Sequence, residues 1–371
     1  MLRRGTPQLL RRITARAAST SGKPPAPATP LGQQQQQQHS ISAPARPTKR
    51  VTIHTLRALK AEGTPITMVT AYDFPSAVHV DVADIDVLLC GDSVGMVELG
   101  LDTTVPVTLD DMVHHCRAVS RGCSRPLLVG DLPFGTYEAD PAEAFRSAAR
   151  ILKEGGMDAV KLEGGVARAP SIRAVVQGGI ATMGHVGLTP QAFSAMGGFR
   201  YQGRNAEQAV RVTRDALATQ DAGAFAVVIE CVPPLVAREI TKRLEIPSIG
   251  IGSGPHCDGQ VLVYHDLLGF LQHPWHAAHA LKFCKQYADV GMLINRGLAA
   301  YRDDVRSGAF PGKEHSPYTI PDAEAAKFLE RLEAEVDAPL RGAAVGSVAQ
   351  APAREAGETA VYGGAPGKPP R

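Results

Sequence analysis

Lys161 and Glu163 stand two positions apart at the end of the apolar stretch Ala159-Val160-Lys161-Leu162-Glu163-Gly164-Gly165. Side chains alternate across a strand, so an ammonium and a carboxylate share one face here while Val160 and Leu162 share the other. In a single strand that arrangement reads as an ion pair satisfying itself. Chemistry comes into view because the pattern recurs. Short apolar runs end in Tyr72-Asp73, Gly91-Asp92-Ser93, Asp131, Lys161-Leu162-Glu163, Gly184-His185, Glu230, Gly250-Ile251-Gly252-Ser253-Gly254 and His265-Asp266. Taken one at a time these are helix N-caps, core histidines and tight turns. Asp258-Gly259 is a turn signal and nothing more. Brought together, the strand ends make a site.

Asp92, Asp131 and Glu163, if neighbours, are three carboxylates whose mutual repulsion calls for a proton or a cation among them. Oxygen donors without a thiolate or an imidazole pair favour Mg²⁺ over Zn²⁺. Lys161 adds a positive charge suited to a substrate carboxylate, and Ser93 adds a hydroxyl and a backbone N–H. Glu230 is placed to act as an unligated base, with His185 as a hydrogen-bonding or proton-handling group between it and Glu163. The chemistry that suits this set is enolisation of a 2-oxo acid. A metal chelating the carboxylate and keto oxygens acts as a Lewis acid on developing enolate charge, and the enolate then attacks an electrophile.

Such a site needs a scaffold that gathers strand ends. Apolar runs at Ile66–Thr70, Val87–Cys90, Leu127–Gly130, Ala159–Lys161, Gly179–Met183, Ala226–Glu230, Pro247–Ile251 and Val261–Tyr264 alternate with helical segments. Thr108 ahead of Asp110-Asp111, Asp140-Pro141-Ala142-Glu143, and Asn205 with Gln208 are helix starts; Thr189-Pro190 and Pro233-Pro234 open two more. Gly155-Gly156 and Gly223 close helices. Strict alternation predicts a parallel sheet. A doubly wound sheet usually opens with a phosphate loop, where this chain has Thr70-Ala71-Tyr72-Asp73. The expectation is a (β/α)8 barrel over residues 51–340, somewhat longer than the ~250 residues typical, with an N-terminal helix at His54–Lys60 capping its bottom.

The first fifty residues hold nine Lys and Arg and no acid, so the body is acidic by seven charges although the whole chain is at +2. That excludes a nucleic-acid groove or an anionic membrane surface as partner, and no apolar run is long enough for a bilayer. Residues 1–22 read as a mitochondrial transit peptide, basic and hydroxyl-bearing without a long apolar core. Residues 23–50, with six glutamines from Gln33 to Gln38, and residues 341–371 are expected to be disordered. Six scattered cysteines without a CxxC pair are expected to be reduced thiols.

The motifs Gly91-Asp92-Ser93-Val94-Gly95-Met96, Thr104-Val105-Pro106-Val107-Thr108, Asp131-Leu132-Pro133-Phe134 and Val160-Lys161-Leu162-Glu163-Gly164-Gly165 resemble those of the ketopantoate hydroxymethyltransferase family. So do Gly184-His185-Val186-Gly187-Leu188-Thr189-Pro190-Gln191, Gly197 to Arg204, Glu230-Cys231-Val232-Pro233, Gly250 to Gly254, Asp258-Gly259-Gln260 and Pro311 to Ser316. The likeness runs unbroken from Thr52 to Tyr318.

The resemblance implies a (β/α)8 TIM barrel of the phosphoenolpyruvate/pyruvate type. It implies transfer of a hydroxymethyl group from 5,10-methylenetetrahydrofolate to 3-methyl-2-oxobutanoate, giving 2-dehydropantoate on the route to pantothenate and coenzyme A. By motif, Asp92, Asp131 and Glu163 hold Mg²⁺, Ser93 and Lys161 bind the oxo acid, and Glu230 is the proton acceptor. The family forms ring-based homo-oligomers, commonly decamers. Leu281-Lys282-Phe283 and the histidines His273, His276 and His279 depart from the usual pattern; with His265 they suggest a lid over the mouth rather than a metal site. Another oxo-acid lyase or aldolase of the same barrel group is the rival enzyme. A catalytically inactive barrel scaffold is the rival of another class.

Overall fold

The computed structural model describes residues 49–271 and 282–337. Eight parallel strands close on themselves in sequence order, β1 pairing with β8. They are β1 Ile66–Thr70, β2 Val87–Cys90, β3 Leu127–Asp131, β4 Ala159–Glu163, β5 Ala181–Gly187, β6 Ala226–Glu230, β7 Ser248–Ile251 and β8 Gly259–Leu262. The (β/α)8 barrel is thus read directly from the hydrogen-bonded ladder.

Alternation along each strand sorts residues between two cores. Val160 and Leu162 of β4 join Leu88, Cys90, Leu128, Val227 and Ile229 in the layer beneath the outer helices. Ala159 faces inward with Ile66, Met68, Val87, Leu89, Leu127, Val129, Met183, Ala226, Val228, Ile249 and Val261. Lys161 and Glu163 continue that inward column by parity. Likewise Asp131 follows Leu127 and Val129, His185 follows Met183, and Glu230 follows Ala226 and Val228. Each of these four inward columns is apolar at the bottom and polar at the top.

The bottom is closed by α1 Ile53–Glu62, one turn longer than expected, whose Leu56 is fully buried in the inner core. Asp258 proves to be more than a turn residue. Its carboxylate receives Lys60 Nζ from α1 at 2.7 Å and both Ser248 N–H and Ser248 Oγ at 2.8 Å, tying β7, β8 and the capping helix together.

The outer helices start where the capping signals stand. Thr108 and Asp111 form a reciprocal capping box opening α4 Leu109–Gly122. Asp140 caps α5 Pro141–Lys153 through Ala142 N–H, and Asn205 caps α8 Ala206–Asp221 through Gln208 N–H. Such caps contribute about 1 kcal/mol each. Pro234 opens α9 Pro234–Thr241, and Pro190 opens a short 3-10 turn, Pro190–Ala192.

Two strands lie elsewhere than the sequence reading put them. Gly179 has φ +87 and belongs to the turn after α6 Ala169–Gln177, so β5 starts at Ala181 and runs on through His185 to Gly187. Tyr264 opens a helical turn, Tyr264–Leu267, so β8 lies two residues earlier.

The chain divides into two compact units, Met1–Gly291 and Met292–Arg371. All eight strands belong to the first. In the second, the helix Asp322–Leu332 and the 3-10 turn Lys313–His315 contain no buried residue. The transit peptide, most of the linker, the C-terminal tail and His273, His276 and His279 lie outside the described residues.

Candidate active site at the barrel mouth

Four adjacent strands deliver a continuous line of polar groups. Asp131 pairs with Lys161 in the ladder, Glu163 with His185, and Gly187 with Glu230. Their side chains meet accordingly. Lys161 Nζ lies 3.1 Å from Asp131 Oδ1 and 3.4 Å from His185 Nδ1. His185 Nδ1 is 3.6 Å from Glu163 Oε1, and its Nε2 is 3.0 Å from Glu230 Oε2. Asp92, just beyond β2, donates its backbone N–H to Asp131 Oδ2 at 3.1 Å. Ser93 Oγ shares a 2.8 Å hydrogen bond with Tyr72 OH, beyond β1. All seven residues singled out in the sequence therefore belong to one mouth.

Two local features aim Glu230. Gly187 ends β5 with φ +97, and a side chain there would collide with the Glu230 carbonyl, which accepts Leu188 N–H at 2.8 Å. Cys231 takes φ +50, a conformation costly for a residue with a Cβ. Its backbone is held from both sides, N–H to Ile251 O and carbonyl from Gln202 N–H, each at 2.9 Å. The chain turns sharply after Glu230, leaving that carboxylate at the rim.

Burial dominates the electrostatics. Asp92, Asp131, Lys161, Glu163 and His185 are all at most 5 % exposed. Burial raises Asp131 to about 7 despite the adjacent ammonium. Glu163 is pushed well above the carboxylate range, by burial first and then by Asp92. For Lys161 burial opposes the charge, but Asp131, Asp92 and Glu163 together outweigh it and hold the ammonium protonated. His185 is lowered by burial and then by Lys161, so the ring is neutral at pH 7. An ammonium only donates, so Nδ1 accepts from Lys161 and the ring proton sits on Nε2, facing Glu230.

Carboxylates outnumber ammonium groups in this pocket. Asp131 Oδ1 is buried with no aligned hydrogen bond, and so is His185 Nε2. Among the described residues no three His, Cys, Asp or Glu side chains converge into a ready-made cation cage. An unsatisfied buried oxygen among several carboxylates nevertheless fits Mg²⁺, which keeps several waters and uses few protein ligands. It does not fit a closed Zn²⁺ centre.

Three residues not given a role by the sequence reading join the site: Tyr72, Tyr137 and Gln191. Gln191 Nε2 donates to Asp92 Oδ2 and to Leu132 O, each at 2.9 Å, and its backbone N–H donates to Glu163 Oε2 at 3.0 Å. Tyr137 OH donates to Gln191 Oε1 at 2.5 Å and accepts Glu163 N–H at 3.2 Å. Gln191 follows Thr189-Pro190, which signals only a helix start, and no spacing rule links it to Asp92. His265 pairs with Glu98 at 3.2 Å and packs against the Tyr72 ring, 5.6 Å between centroids. The cysteines are free, as expected, and Cys231 is raised by burial to about 12. The Gly252-Ser253-Gly254 run is a tight turn whose Ser253 Oγ donates to Ile229 O at 2.8 Å.

The sequence model of the family described as ketopantoate hydroxymethyltransferase matches residues 50–313. An Arabidopsis thaliana protein named "3-methyl-2-oxobutanoate hydroxymethyltransferase 1, mitochondrial" is 60% identical over 78% of this chain and 84% of its own. A relative of the same name in Oryza sativa is 58% identical over 77% of this chain and 79% of its own. A 3-methyl-2-oxobutanoate hydroxymethyltransferase of Emericella nidulans is 48% identical over 79% of this chain and 82% of its own.

Proposed function

This chain belongs to the ketopantoate hydroxymethyltransferase family, and on that premise we propose how its barrel mouth carries out the family's reaction. The protein is a 3-methyl-2-oxobutanoate hydroxymethyltransferase of pantothenate synthesis, and like its plant relatives a mitochondrial one. The hydroxymethyl donor is 5,10-methylenetetrahydrofolate, and the cation is Mg²⁺. The observation that carries this reading is the unbroken line Asp131–Lys161–His185–Glu230 across four neighbouring strands, with contacts of 3.1, 3.4 and 3.0 Å.

Asp92, Asp131 and Glu163 would hold the ion, which when bound supplies Lewis-acid polarisation of the keto oxygen. Lys161 keeps its proton throughout and offers it to the substrate carboxylate. Ser93, steadied by Tyr72, orients the same group. Glu230 takes the proton from carbon 3 of the oxo acid. Its Oε2 lies 3.0 Å from His185 Nε2, the ring nitrogen that carries the proton. The nucleophilic carbon then bonds to the methylene carbon of the folate; with water consumed, 2-dehydropantoate and tetrahydrofolate leave. The buried surroundings of Asp131, Lys161 and His185 keep bulk water from the developing charge.

The test is a transfer assay with purified protein, 3-methyl-2-oxobutanoate and Mg²⁺, run with and without 5,10-methylenetetrahydrofolate. Product 2-dehydropantoate is expected only with the folate and the metal present. Cleavage or condensation of oxo acids without folate would instead identify a lyase or aldolase. A homo-oligomer, decameric by family resemblance, is part of the proposal. Analytical ultracentrifugation giving a monomer would refute that part alone.

A further inference from the structure

The hydrogen bonds of Gln191 are unusual in how fully they are determined. A primary amide can be built in either of two flipped orientations, and only its partners tell them apart. Here Leu132 O is a pure acceptor, so the NH₂ group must face it. The second N–H then points at Asp92 Oδ2, 2.9 Å away. The amide oxygen faces Tyr137 OH, which spends its one hydrogen there because its lone pair already accepts Glu163 N–H. Gln191's own backbone N–H reaches Glu163 Oε2 at 3.0 Å. One residue thus engages one oxygen on each of two carboxylates that come from different strands. Gln191 and Tyr137 are 5 % and 1 % exposed, so no water competes for these bonds.

We propose that Gln191, locked by Tyr137, is the positioning residue of the cation site, fixing Asp92 and Glu163 so that each keeps its second oxygen for the ion. The inference rests on the assignment of Asp92 and Glu163 to the cation. It also accounts for an otherwise puzzling feature of the site. The carboxylates do not form a closed cage on their own, yet buried like charges should splay apart or fold onto neighbours. A neutral double donor between them holds the spacing without adding charge. Partners of this kind behind a metal's ligands typically contribute 10–100-fold to metal affinity.

The experiment titrates Mn²⁺, an electron-paramagnetic stand-in for Mg²⁺, into the full-length protein and reads free Mn²⁺ by its resonance signal. Gln191→Met keeps the length of the side chain and removes both donors and the acceptor. Tyr137→Phe removes one oxygen atom and with it the lock. We expect the Mn²⁺ dissociation constant to rise 10–100-fold in Gln191→Met and several-fold in Tyr137→Phe. The double variant should be little worse than Gln191→Met, because both changes release the same amide. A melting curve of each metal-free variant runs in parallel. A space-filling residue would lower the melt and leave Mn²⁺ affinity within twofold of wild type, and that result overturns the proposal. If Gln191→Met does not fold, Tyr137→Phe decides the question by the same criterion. Asp92→Asn separates the two layers of inference. Unchanged Mn²⁺ binding there removes the cation assignment and this proposal with it. Weakened binding in Asp92→Asn beside normal binding in the Gln191 and Tyr137 variants removes this proposal alone.

Discussion

Replacing Glu230 by Gln tests the proposed base while disturbing little else. The amide matches the carboxylate in size and shape, so the rim, where His185 Nε2 lies 3.0 Å from Glu230 Oε2, keeps its geometry. What is lost is basicity. A positioned general base contributes about 10²–10⁴ in rate, or roughly 3–5 kcal/mol of barrier at 1.36 kcal/mol per decade. The structure argues for the upper half of that range, because no neighbour can stand in. His185 carries its proton on the nitrogen facing Glu230, and its other nitrogen is occupied by Lys161 at 3.4 Å. Asp131 and Glu163 are buried and belong to the proposed cation site, which engages them in the assay. Glu230, with 16 % of its side chain exposed, is the acid at the rim. The assay is loss of the carbon-3 proton signal of 3-methyl-2-oxobutanoate by NMR in deuterated buffer, with Mg²⁺ and no folate. Exchange is expected to fall by about a thousandfold while Mg²⁺ affinity stays within a factor of a few. Exchange within threefold of wild type, with metal still bound, would refute the base assignment.

Other perturbations follow from the same geometry. Glu163→Ala should weaken Mg²⁺ and oxo-acid binding together, as calorimetry can measure; unchanged Mg²⁺ affinity would exclude a ligand role. Tyr72→Phe removes the partner 2.8 Å from Ser93 Oγ, a contact of about 1 kcal/mol, so KM for the oxo acid should rise about fivefold with kcat little changed. Asp131 titrates near 7 in the metal-free fold against about 3.9 unfolded, so between those values the native state binds more protons than the unfolded one. Stability of the metal-free protein should therefore fall from pH 5 to pH 8 by a few kcal/mol more in wild type than in Asp131→Asn. Urea midpoints of the two proteins at both pH values measure that difference, and saturating Mg²⁺ should remove it.

Much of this was legible in the sequence because its local and global signals agree. Strands β1, β2 and β6 begin and end where their apolar runs do, and the caps at Thr108, Asp140 and Asn205 work as their residue types require. Closure of the barrel was also legible, since eight alternating units leave few other solutions. The errors have local causes. Gly179 looked like the start of a strand only because sequence does not reveal that its φ is positive, and Asp258 looked like a turn because its partners, Lys60 and Ser248, are set by barrel closure. The gathering of side chains at the mouth was legible wherever a charged residue ended an apolar run, as at Lys161 and Glu230. Gln191, Tyr137 and Tyr72 were not. They are neutral, they lie in loops, and their roles consist of hydrogen bonds to residues from other strands, which no spacing rule encodes.

The inactive-scaffold reading fails on energetic grounds. A barrel that served only as a support would be better off with apolar side chains at the top of its inward columns. Exchanging buried ion pairs for well-packed hydrophobic residues is often neutral or stabilising by 1–4 kcal/mol. Here Asp131, Lys161, Glu163 and His185 occupy those positions instead, nearly solvent-free and with Asp131 Oδ1 and His185 Nε2 lacking aligned partners. Each such group is a liability in the metal-free fold, where burial pushes Asp131 and Glu163 above the usual carboxylate range. On the proposed function the liability becomes an asset, because a bound dication and an anionic substrate would let both carboxylates ionise and give the ammonium a second partner. The stability forgone in the upper layer thus locates the chemistry independently of any likeness to relatives.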